Sequence, residues 1–443
     1  MTTAHGRGGP SARGGAVDFG NAVSRVGFIA GLSTAIDLMD PALHLHHRWV
    51  AVLAGRIGQA MGLSDAEVRT LMLAGLLHDI GALSLTERLA LMRFEEPSER
   101  SPGHAEHGEV GYQLLRGFGP LREVARAIRF HHVEWRPGRG HGERGVGVPA
   151  ASHILHLADR LAVVLGPGTD LLQQASRVSR VIRLQRGEVF APAPVDALLD
   201  VAARTGFWLE TRDSVETDSW LDRWKDLPSE AVELGPLAEL FCRLIDFRSR
   251  FTSTHTSGVA AMCKAIGDLC GLPGDRVEAL EVAGHLHDLG KVSVPVEFLE
   301  KPGALTAPQY LRVQAHSYET YRILRASGVP EDIVAWASYH HERIDGRGYP
   351  FHLGGESLSL ESRIVAVADV FTALTEDRPY RSGMDAAAVV RILRRMGGGA
   401  LDADLTALVG AHAADLNAER AQAQGRAKIA YESFLGRIGP ATC

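Results

Sequence analysis

Histidine beside aspartate is the pairing in this chain that most directly suggests chemistry. It occurs twice, each time after an apolar stretch: Leu77-His78-Asp79-Ile80-Gly81 and Leu286-His287-Asp288-Leu289-Gly290. Imidazole and carboxylate both suit first-row ions such as Fe, Mn, Ni and Zn. At a helix end the two can face one site, and the carboxylate can bridge two ions. Two ions roughly 3.5–4 Å apart polarise a phosphodiester and lower the pKa of a shared water, so that hydroxide is available near neutral pH.

The two dipeptides lie 209 positions apart, and the same interval separates His46 from His255, His107 from His316, His131 from His340 and His132 from His341. Asp159 and Asp369 follow at an interval of 210. The flanks agree: Met61-Gly62-Leu63 stands where Cys270-Gly271-Leu272 stands, and Ile154 to Asp159 mirrors Ile364 to Asp369. The chain is therefore a tandem duplication. Any one of these histidines alone reads as an ordinary core or surface residue. The full ordered set, kept twice, reads as two metal centres: His46, His78, Asp79, His107, His131, His132 and Asp159 in the first copy, and His255, His287, Asp288, His316, His340, His341 and Asp369 in the second.

Helices must carry these ligands. Val259, Met262, Cys263, Ile266 and Leu269 recur at the three-and-four spacing of one buried helix face. Gly271-Leu272-Pro273 ends that helix, and Asp275 is the expected N-cap of the next, which runs to His287. Strand-like alternation is scarce; Phe351 to Gly355 reads as a loop or a short hairpin. The expected class is all-α, two tandem helical bundles joined by a helical connector. The boundaries read from sequence are a disordered tail over 1–19, a first copy over 20–206, a connector over 207–235 containing Trp208, Trp220 and Trp224, a second copy over 236–415, and a terminal helix and tail over 416–443.

Composition fits a soluble globular protein: 443 residues, 45% hydrophobic and 23% charged, with a net charge of -6 that offers no basis for binding a nucleic-acid polymer or a membrane surface. The apolar runs are too short to span a bilayer. The four cysteines form no CxxC pair, so a reducing cytoplasm is the expected setting. A homodimer is the assembly to look for.

The second copy resembles the HD-GYP branch of the HD superfamily of metal-dependent phosphohydrolases. The carrying residues are His287-Asp288-Leu289-Gly290-Lys291, Lys301-Pro302-Gly303, His340-His341-Glu342-Arg343-Ile344-Asp345-Gly346-Arg347-Gly348-Tyr349-Pro350, Val367-Ala368-Asp369 and Arg378-Pro379-Tyr380-Arg381, which span most of 250–415. The resemblance implies an HD-type helical bundle that hydrolyses cyclic di-GMP to pGpG, to GMP, or to both. It implies that His287, Asp288 and Asp369 hold one ion with His255 close by, and that Asp288, His316, His340 and His341 hold the second. Lys291 would stabilise charge on the scissile phosphate. Asp345, Gly348, Tyr349, Pro350, Arg378 and Arg381 would contact substrate, with Arg381 standing where the family usually has lysine. Members with three ions carry a glutamate one helical turn before the first histidine. Phe251 stands there instead, which implies two ions and makes pGpG the expected product.

The first copy keeps its seven ligands but has Ala82 for Lys291, Val133 for Glu342 and no Gly-Tyr-Pro string. Three readings follow: a regulatory metal or ligand sensor, a hydrolase for another substrate, and a metal-stabilised scaffold. For the whole chain, a non-catalytic cyclic-dinucleotide receptor and a phosphohydrolase acting on another nucleotide are the rival readings.

Overall fold

The computed structural model describes residues 22–37, 45–82, 106–135, 147–164, 170–225, 227, 231–246, 254–301, 303–376 and 382–438. The first copy opens with strand β1 (Ala22–Ser24) and continues through α1 (Arg25–Asp37), α2 (His46–Ala60), α3 (Asp65–Leu77), α4 (Glu106–Leu115), α5 (Arg122–Arg129), α6 (Ala150–Val164), α7 (Leu171–Leu184) and α8 (Pro192–Ala202). Helices α9 (Thr205–Arg212) and α10 (Ser214–Asp222) follow in the connector. The second copy is β2 (Ala231–Glu233), α11 (Leu234–Asp246), α12 (His255–Leu269), α13 (Gly274–Leu286), α14 (Val296–Leu299), α15 (Ala307–Ala326), α16 (Glu331–Ser338), α17 (Leu360–Thr375), α18 (Ala386–Met396) and α19 (Ala403–Ala411). A long last helix, α20 (Ala413–Ile438), closes the chain.

Among the described residues the fold is all-α apart from β1 and β2, which sequence reading did not anticipate. They pair antiparallel with Val23 opposite Val232, Ala22 opposite Glu233 and Ser24 opposite Ala231. Each strand feeds directly into the first helix of its copy, so the pair relates the two copies by a local two-fold. The structural repeat therefore reaches back to Ala231, five residues before the boundary at 236 read from sequence. Behind the strands, Phe28 of α1 and Phe241 of α11 bring their ring centroids to 5.1 Å. Helix α1 packs on α2 and α3 of its own copy and also on α15 of the second. The two copies share one apolar core.

The connector is helical as expected, but it is not a spacer. Trp208, Trp220 and Trp224 are buried. Helices α9 and α10 pack on α2, and Arg56 of α2 pairs with Glu210 at 3.1 Å. Helix α13 begins after Pro273, with Asp275 inside its first turn rather than capping it. An acidic side chain there still complements the positive helix end. The expected tail at 1–19 lies outside the described residues. No helix among the described residues is long and apolar enough to cross a membrane.

Candidate metal centres

In the second copy, five elements converge on one buried point. His255 starts α12, His287 and Asp288 follow α13, His316 lies on α15, His340 and His341 follow α16, and Asp369 lies on α17. Gly290 makes the approach possible: a Cβ there would sit 2.0 Å from the His316 carbonyl oxygen, so only glycine lets α15 close on the turn. Gly81 has the same relation to His107 in the first copy, at 2.1 Å.

The two oxygens of Asp288 face different histidines. Oδ2 lies 3.2 Å from His287 Nε2 and 3.9 Å from His255 Nε2. Oδ1 lies 3.4 Å from His316 Nε2. His255 Nε2 is also 3.2 Å from Asp369 Oδ1, and His341 Nδ1 is 4.0 Å from Asp369 Oδ2. Potential ligand atoms gather in two groups, His255-His287-Asp288 and His316-His340-His341, each within 4.8 Å.

Each ring is oriented by the backbone carbonyl three residues before it; those of Gly284 and Ala337 lie in the last turns of α13 and α16, where carbonyls have no intrahelical partner, and that of Val313 lies inside α15. His287 Nδ1 donates to Gly284 O at 2.8 Å, His316 Nδ1 to Val313 O at 2.6 Å and His340 Nδ1 to Ala337 O at 2.7 Å. Each ring is thereby held in the tautomer whose Nε2 carries a lone pair. The Nε2 atoms of His316 and His340 then meet at 3.3 Å. Two acceptors cannot bond one another, and a cation between them satisfies both. His287 Nε2 likewise is buried with no hydrogen-bond partner. The donor set thus fits divalent ions.

Protonation states agree. Burial opposes the charge on Asp288, but His287, Lys291 and His316 hold its carboxyl well below the ordinary range. Burial lowers His316 to about 3, and burial with the neighbouring rings holds His340 well below its usual value. Carboxylates are ionised and these imidazoles neutral at neutral pH, the forms that bind metal.

Lys291 Nζ sits 2.5 Å from Asp288 Oδ2. Tyr349 lays its ring 4.8 Å from that of His341, and its amide donates to His341 O at 3.2 Å. Gly348 is required there, because a Cβ would lie 2.4 Å from Glu342 Cα. The Tyr349–Pro350 bond is cis. Glu342 is buried and accepts from Phe351 N at 2.6 Å and Leu353 N at 3.0 Å, so it clamps this loop. Asp345 is exposed and engaged within the loop by Arg343, at 2.7 Å, and by the Arg347 amide, at 3.0 Å. Arg378, Arg381 and Phe251 lie outside the described residues.

The first copy repeats the arrangement. Asp79 Oδ2 lies 3.3 Å from His78 Nε2, and Oδ1 lies 3.4 Å from His107 and 3.9 Å from His131. His46 Nε2 lies 3.4 Å from Asp159 Oδ1. His132 and His131 each approach His107 Nε2 at 3.2 Å.

Three features escaped sequence reading. Glu376 accepts from His255 Nδ1 at 2.9 Å, and its other oxygen accepts from Gln424 of α20. Arg160 donates to Asp159 Oδ2 at 2.7 Å, which puts a cation beside the first centre although Ala82 replaces Lys291. His47 and Asp37 form a buried pair next to His46. None of Glu376, Arg160 or His47 has a like residue in the other copy, where Gly166, Val370 and Thr256 stand, so the repeat gave no signal for them.

Comparisons with known proteins bear on this geometry. HD-domain family models match residues 44–163 and 239–405. A 3'3'-cGAMP-specific phosphodiesterase 1 of Vibrio cholerae is 31% identical over 363 residues, covering 79% of this chain and 82% of that protein. A cyclic di-GMP phosphodiesterase of Pseudomonas aeruginosa is 41% identical over 171 residues, covering 38% of this chain and 41% of that protein. The crystal structure of a cyclic GMP-AMP-specific phosphodiesterase of V. cholerae matches the fold with a TM-score of 0.60 at 22% identity, covering 88% of this chain and 97% of that one. Fold, paired histidine–aspartate centres and these matches define an HD-superfamily protein. The chain belongs to the HD-GYP type of HD phosphodiesterases and carries two HD domains in tandem.

Proposed function

We propose that the second copy is the catalytic domain of a metal-dependent cyclic-dinucleotide phosphodiesterase, cutting cyclic di-GMP to pGpG. The observation that carries this reading is Asp288, whose two oxygens face two separate histidine sets at 3.2 Å and 3.4 Å. His255, His287, Asp288 and Asp369 hold one divalent ion, and Asp288, His316, His340 and His341 hold the second. Ions bound there supply an activated water and neutralise phosphate charge. Lys291 places its ammonium where charge develops on the phosphate. Tyr349, between Gly348 and Pro350, offers a ring beside His341 on which a base can rest, and Asp345, Arg378 and Arg381 contribute the remaining substrate contacts. In the first copy His46, His78, Asp79, His107, His131, His132 and Asp159 would hold a further metal centre, whose His-Asp turn carries Ala82 where the second copy has the Lys291 ammonium.

A second reading, 3'3'-cGAMP as substrate, is favoured by the V. cholerae relative that matches along both copies, covering 82% of its own length. Incubation of the metal-loaded chain with each cyclic dinucleotide, followed by product chromatography and metal analysis, separates the readings. Cyclic di-GMP is expected to yield pGpG at the higher kcat/KM. Faster cutting of 3'3'-cGAMP moves the assignment to that substrate, and tight binding of either without turnover overturns the enzyme reading.

A further inference from the structure

The two copies differ at one buried position beside the first ligand histidine. In the second copy Thr256 donates its hydroxyl to Asp246 Oδ1 at 2.6 Å, and the side chain ends there. In the first copy Asp37 stands at the position of Asp246, and His47 at that of Thr256. His47 Nδ1 is hydrogen-bonded to Asp37 Oδ1. An imidazole has a second end. His47 Nε2 continues past the carboxylate and stops 3.9 Å from Asp79 Oδ2, the oxygen that His78 Nε2 meets at 3.3 Å. The ring is 1% exposed, and its Nε2 has no hydrogen-bond partner. Its centroid lies 5.1 Å from that of His78 and 5.4 Å from that of His46.

A buried, unpartnered ring nitrogen aimed at a ligand carboxylate, with its other nitrogen fixed by a second carboxylate, has the arrangement of a metal-bound histidine and its supporting acid. We infer that His47 is an additional ligand of the first copy's metal centre, joining His46, His78, Asp79 and Asp159, with Asp37 as its orienting partner. The inference rests on the first copy being a metal centre and deepens that reading. Three imidazoles with two carboxylates are richer in nitrogen than the two-histidine set of His255, His287, Asp288 and Asp369. Nitrogen donors favour late ions such as Zn(II) or Ni(II) over Mn(II). The first centre is therefore expected to discriminate more strongly against Mn(II) than the second.

The test uses the full chain carrying His287→Ala, Asp288→Ala, His316→Ala and His340→Ala, which breaks both ligand groups of the second centre. Zn(II) is titrated against a chromophoric chelator, and the absorption spectrum of the Co(II)-loaded protein is recorded. His47→Thr recreates the Thr256–Asp246 pairing and so keeps a partner for Asp37. It is expected to lower Zn(II) affinity at least tenfold, on the order of the loss seen when a ligand's support is removed, and to change the Co(II) bands. Asp37→Asn keeps the ring and is expected to give a smaller loss in the same direction, which serves if His47→Thr does not fold. Unchanged affinity and Co(II) spectrum in a folded His47→Thr chain, or in Asp37→Asn, would overturn the assignment of His47 while leaving the centre itself intact. Absence of any bound Zn(II) with His47 present would overturn the first metal centre and this inference together.

Discussion

Removing the Glu376 carboxylate is expected to weaken metal binding at the second centre without touching a proposed ligand. Glu376 accepts from His255 Nδ1 at 2.9 Å, with side-chain exposures of 8% and 2%. Its other oxygen takes the Gln424 amide from α20. This carboxylate fixes the ring so that Nε2 faces Asp369 Oδ1 at 3.2 Å, and it raises the basicity of that nitrogen. Loss of such a partner typically costs about 10–100-fold in metal affinity, equivalent to about 1.4–2.7 kcal/mol. Glu376→Ala should fall in this range. Glu376→Gln, which keeps the volume but loses the charge, should fall at its lower end. The assay is metal retained by the full chain across a chelator series, read beside kcat at saturating metal. Retention at wild-type chelator concentrations in both variants would refute the argument that Glu376 supports His255.

Asp288→Ala is expected to abolish hydrolysis and strip the second centre of metal; full activity with normal metal content would rule out a shared carboxylate. Lys291→Ala should keep its metal and lose rate by roughly 10²–10³-fold, the cost of a deleted donor to developing charge, and a variant as fast as wild type would show that the ammonium does not reach the phosphate. At the first centre, burial disfavours charge on His78, but Asp79 and Asp159 outweigh it and raise its pKa to about 10. That ring is therefore protonated at neutral pH without metal and must lose its proton to bind, so uptake should release a proton and apparent affinity should climb about tenfold per pH unit below that value. Calorimetry in two buffers of different ionisation enthalpy reads this directly, and equal heats would contradict it. Because α1 packs on α15, the division of labour is best read in the full chain: His78→Ala with Asp79→Ala should leave turnover chemistry in the second copy, whereas complete loss of hydrolysis in a folded variant would place chemistry in the first.

Much of both centres was legible in the residues. Metal ligands belong to a few side-chain types, and a duplication that keeps them at one interval marks them twice. The helical class followed from apolar periodicity, since a buried face must recur every three to four residues whatever it packs on. The paired strands were not legible, because three residues such as Ala22–Ser24 hold no pattern until Ala231–Glu233 lies beside them. The connector tryptophans read as part of a link and proved to be core, since their burial depends on where α2 lies. The glutamate of the His-His-Glu string belonged to the resemblance by type, while only folding showed that it holds the amides of Phe351 and Leu353. Which ligand faces which was also decided in three dimensions. His255 meets Glu376 across 121 residues, and Glu376 meets Gln424 across 48. No local preference specifies such pairs; the packing of α12, α17 and α20 does. The sequence by itself determined which residues are the candidate ligands and that they come in two sets. Tertiary structure alone decided that Asp288 divides its oxygens between two histidine groups and that His47 turns its free nitrogen toward Asp79, because both depend on helices brought together from distant parts of the chain.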